Sequence, residues 1–183
     1  MRTLSSKALF FLLVIVVQVA VGGSEVGAAN SSFKYYENTE FNFSLQYPSS
    51  WITQEGVMGT KYLAFLSALE NENDLFQENI NIVVEDLTGI DITLKNYFEL
   101  SYAQLEKIIS DFSLISSESS IVANKDSETI IFSGVQGQLR LKWLQVYILN
   151  NNKAYVVTYT AEEKEFIKYL PFMISIFTSF KLK

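Results

Sequence analysis

The chain has 183 residues, 14 basic and 20 acidic side chains, a net charge of −6, and neither cysteine nor histidine. The two absences exclude disulfides, thiolate nucleophiles, Fe–S clusters, Cys/His zinc sites, histidine-based triads and histidine-ligated haem. The acidic balance, with no basic stripe to offset it, repels a phosphate backbone, so nucleic acid is excluded as a partner.

Arg2 and Lys7 give a basic start, Ala8 to Val21 is an uncharged apolar run, and small residues follow in Gly22-Gly23-Ser24 and Gly27-Ala28-Ala29. That order predicts a secretory signal peptide over residues 1–28 and an extracytoplasmic protein, secreted, periplasmic or at the cell surface. The run is shorter than the roughly 20 residues that span a bilayer comfortably; left uncleaved, it would serve as an N-terminal anchor. Residues 29–32 read as a linker and 33–183 as a single domain, with a net charge of about −7 once residues 1–28 are removed. Asn30-Ser31-Ser32 and Asn42-Phe43-Ser44 match the N-glycosylation pattern, the first in the linker and the second in a predicted strand.

Phe33 to Asn38 is the first strand candidate. Phe41, Phe43, Leu45 and Tyr47 then alternate with Asn42, Ser44 and Gln46, the period of two of a half-buried strand. Pro48 ends the pairing for want of an N–H, Ser49-Ser50 make a turn, and Trp51 opens the next strand, through Glu55. Gly56 to Gly59 predict a turn and Tyr62 to Leu66 its hairpin partner. Glu70 to Asn79 reads as a polar loop, and Asn79 to Leu87 as a strand with Ile80, Ile82 and Val84 on one face.

Thr93 is placed to cap a helix, whose stripe is Leu94, Tyr97, Phe98, Ser101, Leu105, Ile108, Ile109 and Phe112. Four strand candidates follow: Leu114–Val122, Thr129–Val135, Leu139–Leu149 and Ala154–Thr160. Asn150 to Lys153 joins the last two as a tight turn that suits asparagine's tolerance of positive φ. Both faces of Ala154–Thr160 carry β-branched or aromatic residues, which predicts a central strand covered on both sides. Thr160-Ala161-Glu162-Glu163 reads as a capping box opening a helix with Phe166, Leu170, Met173, Phe177 and Phe180 on one face. Pro171 is expected to kink or split that helix. Ser179 to Lys181 ends the chain as a short strand. Many strands with two separate helices predict an α+β domain with a mostly antiparallel sheet.

Several of these segments, in this order, resemble the PsbP-like family, the extrinsic PsbP subunit of photosystem II and its prokaryotic relatives. They are Phe43–Trp51 (FSLQYPSSW), Asn79–Asp86 (NINIVVED), the helix opened by Thr93-Leu94, Tyr155–Ala161 (YVVTYTA), Tyr169-Leu170-Pro171 and Ser179-Phe180-Lys181. The resemblance spans nearly all of Phe33 to Lys183. It implies a central, mostly antiparallel sheet with helices packed on both faces. It also implies an accessory role, since photosystem members bind the lumenal face of the complex and help to retain inorganic ions. The chain departs from the family in having no histidine for a histidine-based metal site, no lipobox cysteine and no twin arginine.

The first functional reading is therefore a secreted, non-enzymatic accessory or binding module that docks on a protein partner at the membrane or cell envelope. The alternative is a small-ligand or ion carrier. Its one candidate site is the loop carrying Glu70, Glu72, Asp74 and Glu78, with Asn71 and Asn73, an oxygen-only set of the kind that Ca²⁺ prefers. No other cofactor is expected. A third reading, a carboxylate-based hydrolase, would need one of the pairs Glu85/Asp86, Asp126/Glu128 or Glu162/Glu163. Ser49-Ser50 would need Lys61 as a base to act as a nucleophile. Gly56-Val57-Met58-Gly59 lacks the Lys-Ser/Thr of a phosphate loop.

Overall fold

The strand with apolar side chains on both faces lies in the middle of the main sheet. The computed structural model describes residues 32–55 and 62–183. The proposed signal segment, Asn30, the linker up to Ser31, the Gly56–Gly59 turn and Lys61 lie outside the described residues. The strands are β1 (Phe33–Asn38), β2 (Phe43–Pro48), β3 (Ile52–Glu55), β4 (Tyr62–Leu66), β5 (Asn79–Asp86), β6 (Ser110–Val122), β7 (Lys125–Gln136), β8 (Leu139–Asn150), β9 (Lys153–Glu162) and β10 (Lys181–Leu182). The helices are α1 (Leu94–Ile108) and α2 (Phe166–Ser179). Seven strands form one antiparallel sheet in the order β3-β4-β5-β9-β8-β7-β6, and β1-β2-β10 form a second, smaller one.

Alternation along β9 divides the core. Tyr155, Val157, Tyr159 and Ala161 join Ile80, Ile82, Val84, Val146 and Ile148 on the face covered by α2 and the small sheet. Ala154 and Val156 join Trp143, Tyr147, Phe132 and Ile130 on the face covered by α1. Each large side chain so buried contributes about 1.5–3 kcal/mol before its entropy cost. The tyrosine hydroxyls on the α2 face are satisfied in place: Tyr155 donates to the Phe41 carbonyl (2.8 Å) and Tyr159 to the Phe166 carbonyl (2.9 Å). The fold is thus an α+β sandwich with one helix on each face of the main sheet. Among the described residues no helix is long and apolar enough to cross a membrane.

Turn chemistry fixes the register. Asn151 and Asn152 have φ of 51° and 56°, the left-handed pair that a two-residue hairpin loop requires between β8 and β9. Ala123 and Asn124 do the same between β6 and β7, with φ of 53° and 59°. In the Pro48–Trp51 turn, the Trp51 N–H donates to the Pro48 carbonyl (3.0 Å). Asn42 belongs to the turn before β2, with a φ of 55°, and not to the strand expected there.

Three expectations are corrected. Thr160 does not cap a helix: it lies inside β9, buried, paired with Asn79 and Trp143 on either side. Two flanking strands satisfy its backbone better than one helical turn would, so β9 continues to Glu162 and α2 begins at Phe166 behind Glu165, with no side-chain cap. Pro171 does not split α2, which is continuous from Phe166 to Ser179. The proline is exposed, and the carbonyl left without a donor belongs to Ile167, itself on the solvent side, where water can serve it. α1 stops at Ile108 and does not reach Phe112; Thr93 caps its start, accepting from the Asn96 N–H at 3.2 Å. Ser110 enters the sheet opposite Val135, and Asp111 takes a φ of 51° at the irregularity that follows.

Candidate functional site: an acidic cavity beside the second helix

The β4–β5 loop folds on itself before it meets anything else. Asp74 accepts from the Glu70 N–H (2.7 Å) through one carboxylate oxygen and from the Phe76 N–H (3.0 Å) through the other. Asn71 accepts from the Asn73 N–H (2.9 Å), the short side-chain turn typical of asparagine. The ends of the loop are tied by the Ser67 N–H to the Glu78 carbonyl (2.8 Å) and by the Gln77 side-chain amide to the Ser67 carbonyl (2.6 Å).

This closed loop lies against the start of α2. Glu70 accepts from the Tyr169 hydroxyl (2.7 Å) and pairs with Lys168, which also pairs with Glu165 at 3.3 Å. The Lys168 ammonium is the main cause that holds the Glu70 carboxyl below its usual range. Burial pushes the Tyr169 hydroxyl up, and its bond to Glu70 pushes it further. Trp51 supports this junction, its ring centroid 6.4 Å from that of Tyr169.

Between the loop, the end of β9 and the turn that leads into α2 lies a cavity of about 250 Å³. Of the four acidic residues read as an ion site, Glu70, Asp74 and Glu78 line it, together with Asn71 and Asn73. Glu72 is exposed and lies outside the lining. Glu162, Lys164 and Glu165 complete the wall, and Glu162 pairs with Lys164 at 3.2 Å. Among the described residues no group of three or more acidic side chains converges closely enough to hold a metal ion. Sequence reasoning named Glu162 only in a pair with Glu163 and missed Lys164, Glu165, Lys168 and Tyr169 as partners of this loop; the alternating charges of Lys164, Glu165 and Lys168 just beyond β9 are the signal that could have placed them here.

Glu78 is the unusual member. It is 1% exposed, and the Ser67 hydroxyl donates to it at 3.3 Å. Burial, with the nearby Asp74 and Glu70 carboxylates, pushes its carboxyl up to about 7.

The paired carboxylates are dispersed. Glu85 and Asp86 are consecutive in β5 and point to opposite faces. Glu85 turns toward α1, where burial raises its carboxyl against a hydrogen bond from Tyr97, and Asp86 accepts from the Thr88 N–H at 2.9 Å in a turn. Asp126 and Glu128 share the α1 face of β7, and Glu128 accepts from the Ser119 hydroxyl at 3.0 and 3.1 Å. Glu163 donates its N–H to the Arg140 carbonyl (3.1 Å) beyond the end of β9. Ser49 bonds to Ser32, hydroxyl to hydroxyl at 2.6 Å.

No family model matches the sequence, and no curated protein matches it. Solved structures do. A cyanobacterial PsbP from Synechocystis aligns over 88% of this chain and 98% of its own, with a TM-score of 0.62 at 18% identity. LpqN, involved in cell envelope biogenesis of Mycobacterium tuberculosis, aligns over 85% and 87%, with a TM-score of 0.57 at 11% identity. A variant of the protein Mog1 aligns over 82% and 96%, with a TM-score of 0.56 at 11% identity. The sheet with a helix layer on each face therefore defines an α+β sandwich, and that sandwich is the PsbP-like fold.

Proposed function

We propose that the chain is an extracytoplasmic, non-enzymatic accessory module that docks on a protein partner at the membrane or cell envelope. The observation that carries this reading is how the clustered acidic side chains are used. Asp74 spends both oxygens on loop amides, Glu70 is held by Lys168 and Tyr169, and Glu162 is held by Lys164. These three groups are tied into the wall and are not free to move protons. The likeness to a PsbP and to a protein of cell envelope biogenesis supports the same reading, as does the signal-like N-terminal sequence. Photo-crosslinking on membranes of the native host, followed by mass spectrometry, is expected to recover one protein partner reproducibly. Recovery of no consistent partner overturns the reading.

A second reading, a carrier of Ca²⁺ or another small cation, rests on the acidic lining alone: Glu70, Asp74, Glu78, Glu162 and Glu165 line the cavity, and binding would have to draw them together. Calorimetric titration with Ca²⁺ is expected to give saturable heat that Glu78→Ala abolishes. Absence of heat up to about millimolar metal, where weak extracellular sites bind, overturns it.

A further inference from the structure

Strand β6 is the outer strand of the main sheet, and among the described residues nothing pairs with its free edge. Proteins ordinarily protect such an edge with a short strand, a lysine or proline, a bulge, or a covering element, since unpaired N–H and C=O groups template the addition of another strand. Over Ser116–Val122 those devices are missing, and Glu118 is the one charged side chain in that stretch. β6 has 13 residues, and it contains neither lysine nor proline. Its register irregularities lie between Ser110 and Ser113 and between Leu114 and Ser116, leaving Ser116 to Val122 regularly paired with Ile131 to Lys125. Most of this stretch is exposed, and Ile121 is 73% exposed.

The chemistry beside the edge selects what can pair there. Ser117, Ser119 and Ile121 share one face with Glu128 and Asp126 of β7, and Glu118, Ser120 and Val122 lie on the other. Serine hydroxyls cover the edge without bulk, while carboxylates stand on both faces: Asp126 and Glu128 on one, Glu118 on the other. Lys125, at the hairpin turn, is the one basic side chain in this stretch and its β7 partner residues. At that same end Ile121, Val122, Phe177, Phe180 and Leu182 line an open groove of about 520 Å³, with Lys181 also in its wall, so the groove suits an apolar side chain and not a basic one.

We propose that Ser116–Val122 of β6 is a docking edge for an extended, lysine- or arginine-rich segment of a partner protein, which adds as an eighth strand and seats an apolar side chain in the groove. The backbone supplies affinity, the carboxylates on both faces select basic residues, and the groove fixes the end of the register. This rests on the reading of the chain as a docking module and names its surface.

The test titrates the ¹⁵N-labelled full chain with a short capped peptide of lysine, threonine and valine, and with a control in which glutamate replaces lysine. Amides of Ser116–Val122 are expected to shift and gain exchange protection with the lysine peptide alone. Binding is expected to weaken about tenfold or more on raising salt from about 50 to about 300 mM. Ser117→Lys with Ser119→Lys, two exposed changes that add the missing edge protection, is expected to abolish it. Shifts confined to the acidic cavity, or equal binding of the glutamate control, overturn the proposal. Concentration-dependent broadening of the same amides without peptide would make a second copy the occupant and overturns it too. A crosslinked membrane partner retained in full by the double lysine variant overturns the edge alone and leaves the docking module standing.

Discussion

Replacing Glu78 with glutamine is expected to stabilise the chain at about pH 8 and to leave it nearly unchanged near pH 4. The sign follows from the raised carboxyl. The folded chain keeps the Glu78 proton up to about 7, whereas the unfolded chain releases it near the ordinary carboxyl value of 4.5. Between those values the native state binds more protons than the unfolded state, so this group's contribution to stability falls as pH rises. Each unit of separation corresponds to about 1.4 kcal/mol, so the loss across that window is on the order of 3 kcal/mol. Glutamine fills the same volume, can still accept from Ser67, and carries no charge to desolvate beside Asp74 and Glu70. Urea unfolding from about pH 4 to pH 8 checks this: the wild-type midpoint should fall through the window and the variant's much less. Parallel curves for the two proteins would refute the buried, late-ionising carboxyl.

Gly134→Ala is expected to be the most damaging small substitution in the sheet. A Cβ at Gly134 would lie 2.3 Å from Ile109 Cγ2 and 2.9 Å from the Ser110 carbonyl oxygen. The first contact belongs to a side chain that could shift; the second belongs to backbone at the entrance to β6. Overpacking of this kind costs about 1–3 kcal/mol, and an immovable backbone partner puts Gly134 at about the upper end. Adding Ile109→Ala should recover only part of the loss, because the carbonyl remains. A denaturation midpoint unchanged by Gly134→Ala would mean that the Ile109–Ser110 segment and β7 are not so closely apposed.

That close approach also explains where sequence reasoning stopped short. Apolar spacing continues through Ile109 and Phe112, so local periodicity alone carries the helix to Phe112; nothing local marks Gly134, far along the chain, as the residue that admits Ser110 to the sheet. Phe112 instead packs its ring 5.3 Å from that of Phe132. Thr160 misled for a similar reason: a capping pattern is local, whereas its two strand neighbours are distant. What was legible was whatever a few consecutive residues decide. The alternation of Phe43 and Leu45, the cap at Thr93, the Asn151-Asn152 turn and the two-faced β9 all fall in that class. The acidic loop was legible as a cluster but not as a wall, since Lys168 and Tyr169, which hold Glu70, lie 98 and 99 residues further along the chain.

The strand order has a consequence for how the chain finds this structure. β6, β7, β8 and β9 follow one another in sequence and in space, joined by two-residue turns, and β3, β4 and β5 form a second consecutive run. Within each run pairing needs only neighbours along the chain, so little entropy is lost in closing loops. One seam joins the two runs, where β5 lies antiparallel to β9 and Ile80 meets Tyr159. Most of the topological cost of building the main sheet is concentrated in that single pairing, with all of α1 enclosed in the loop that it closes.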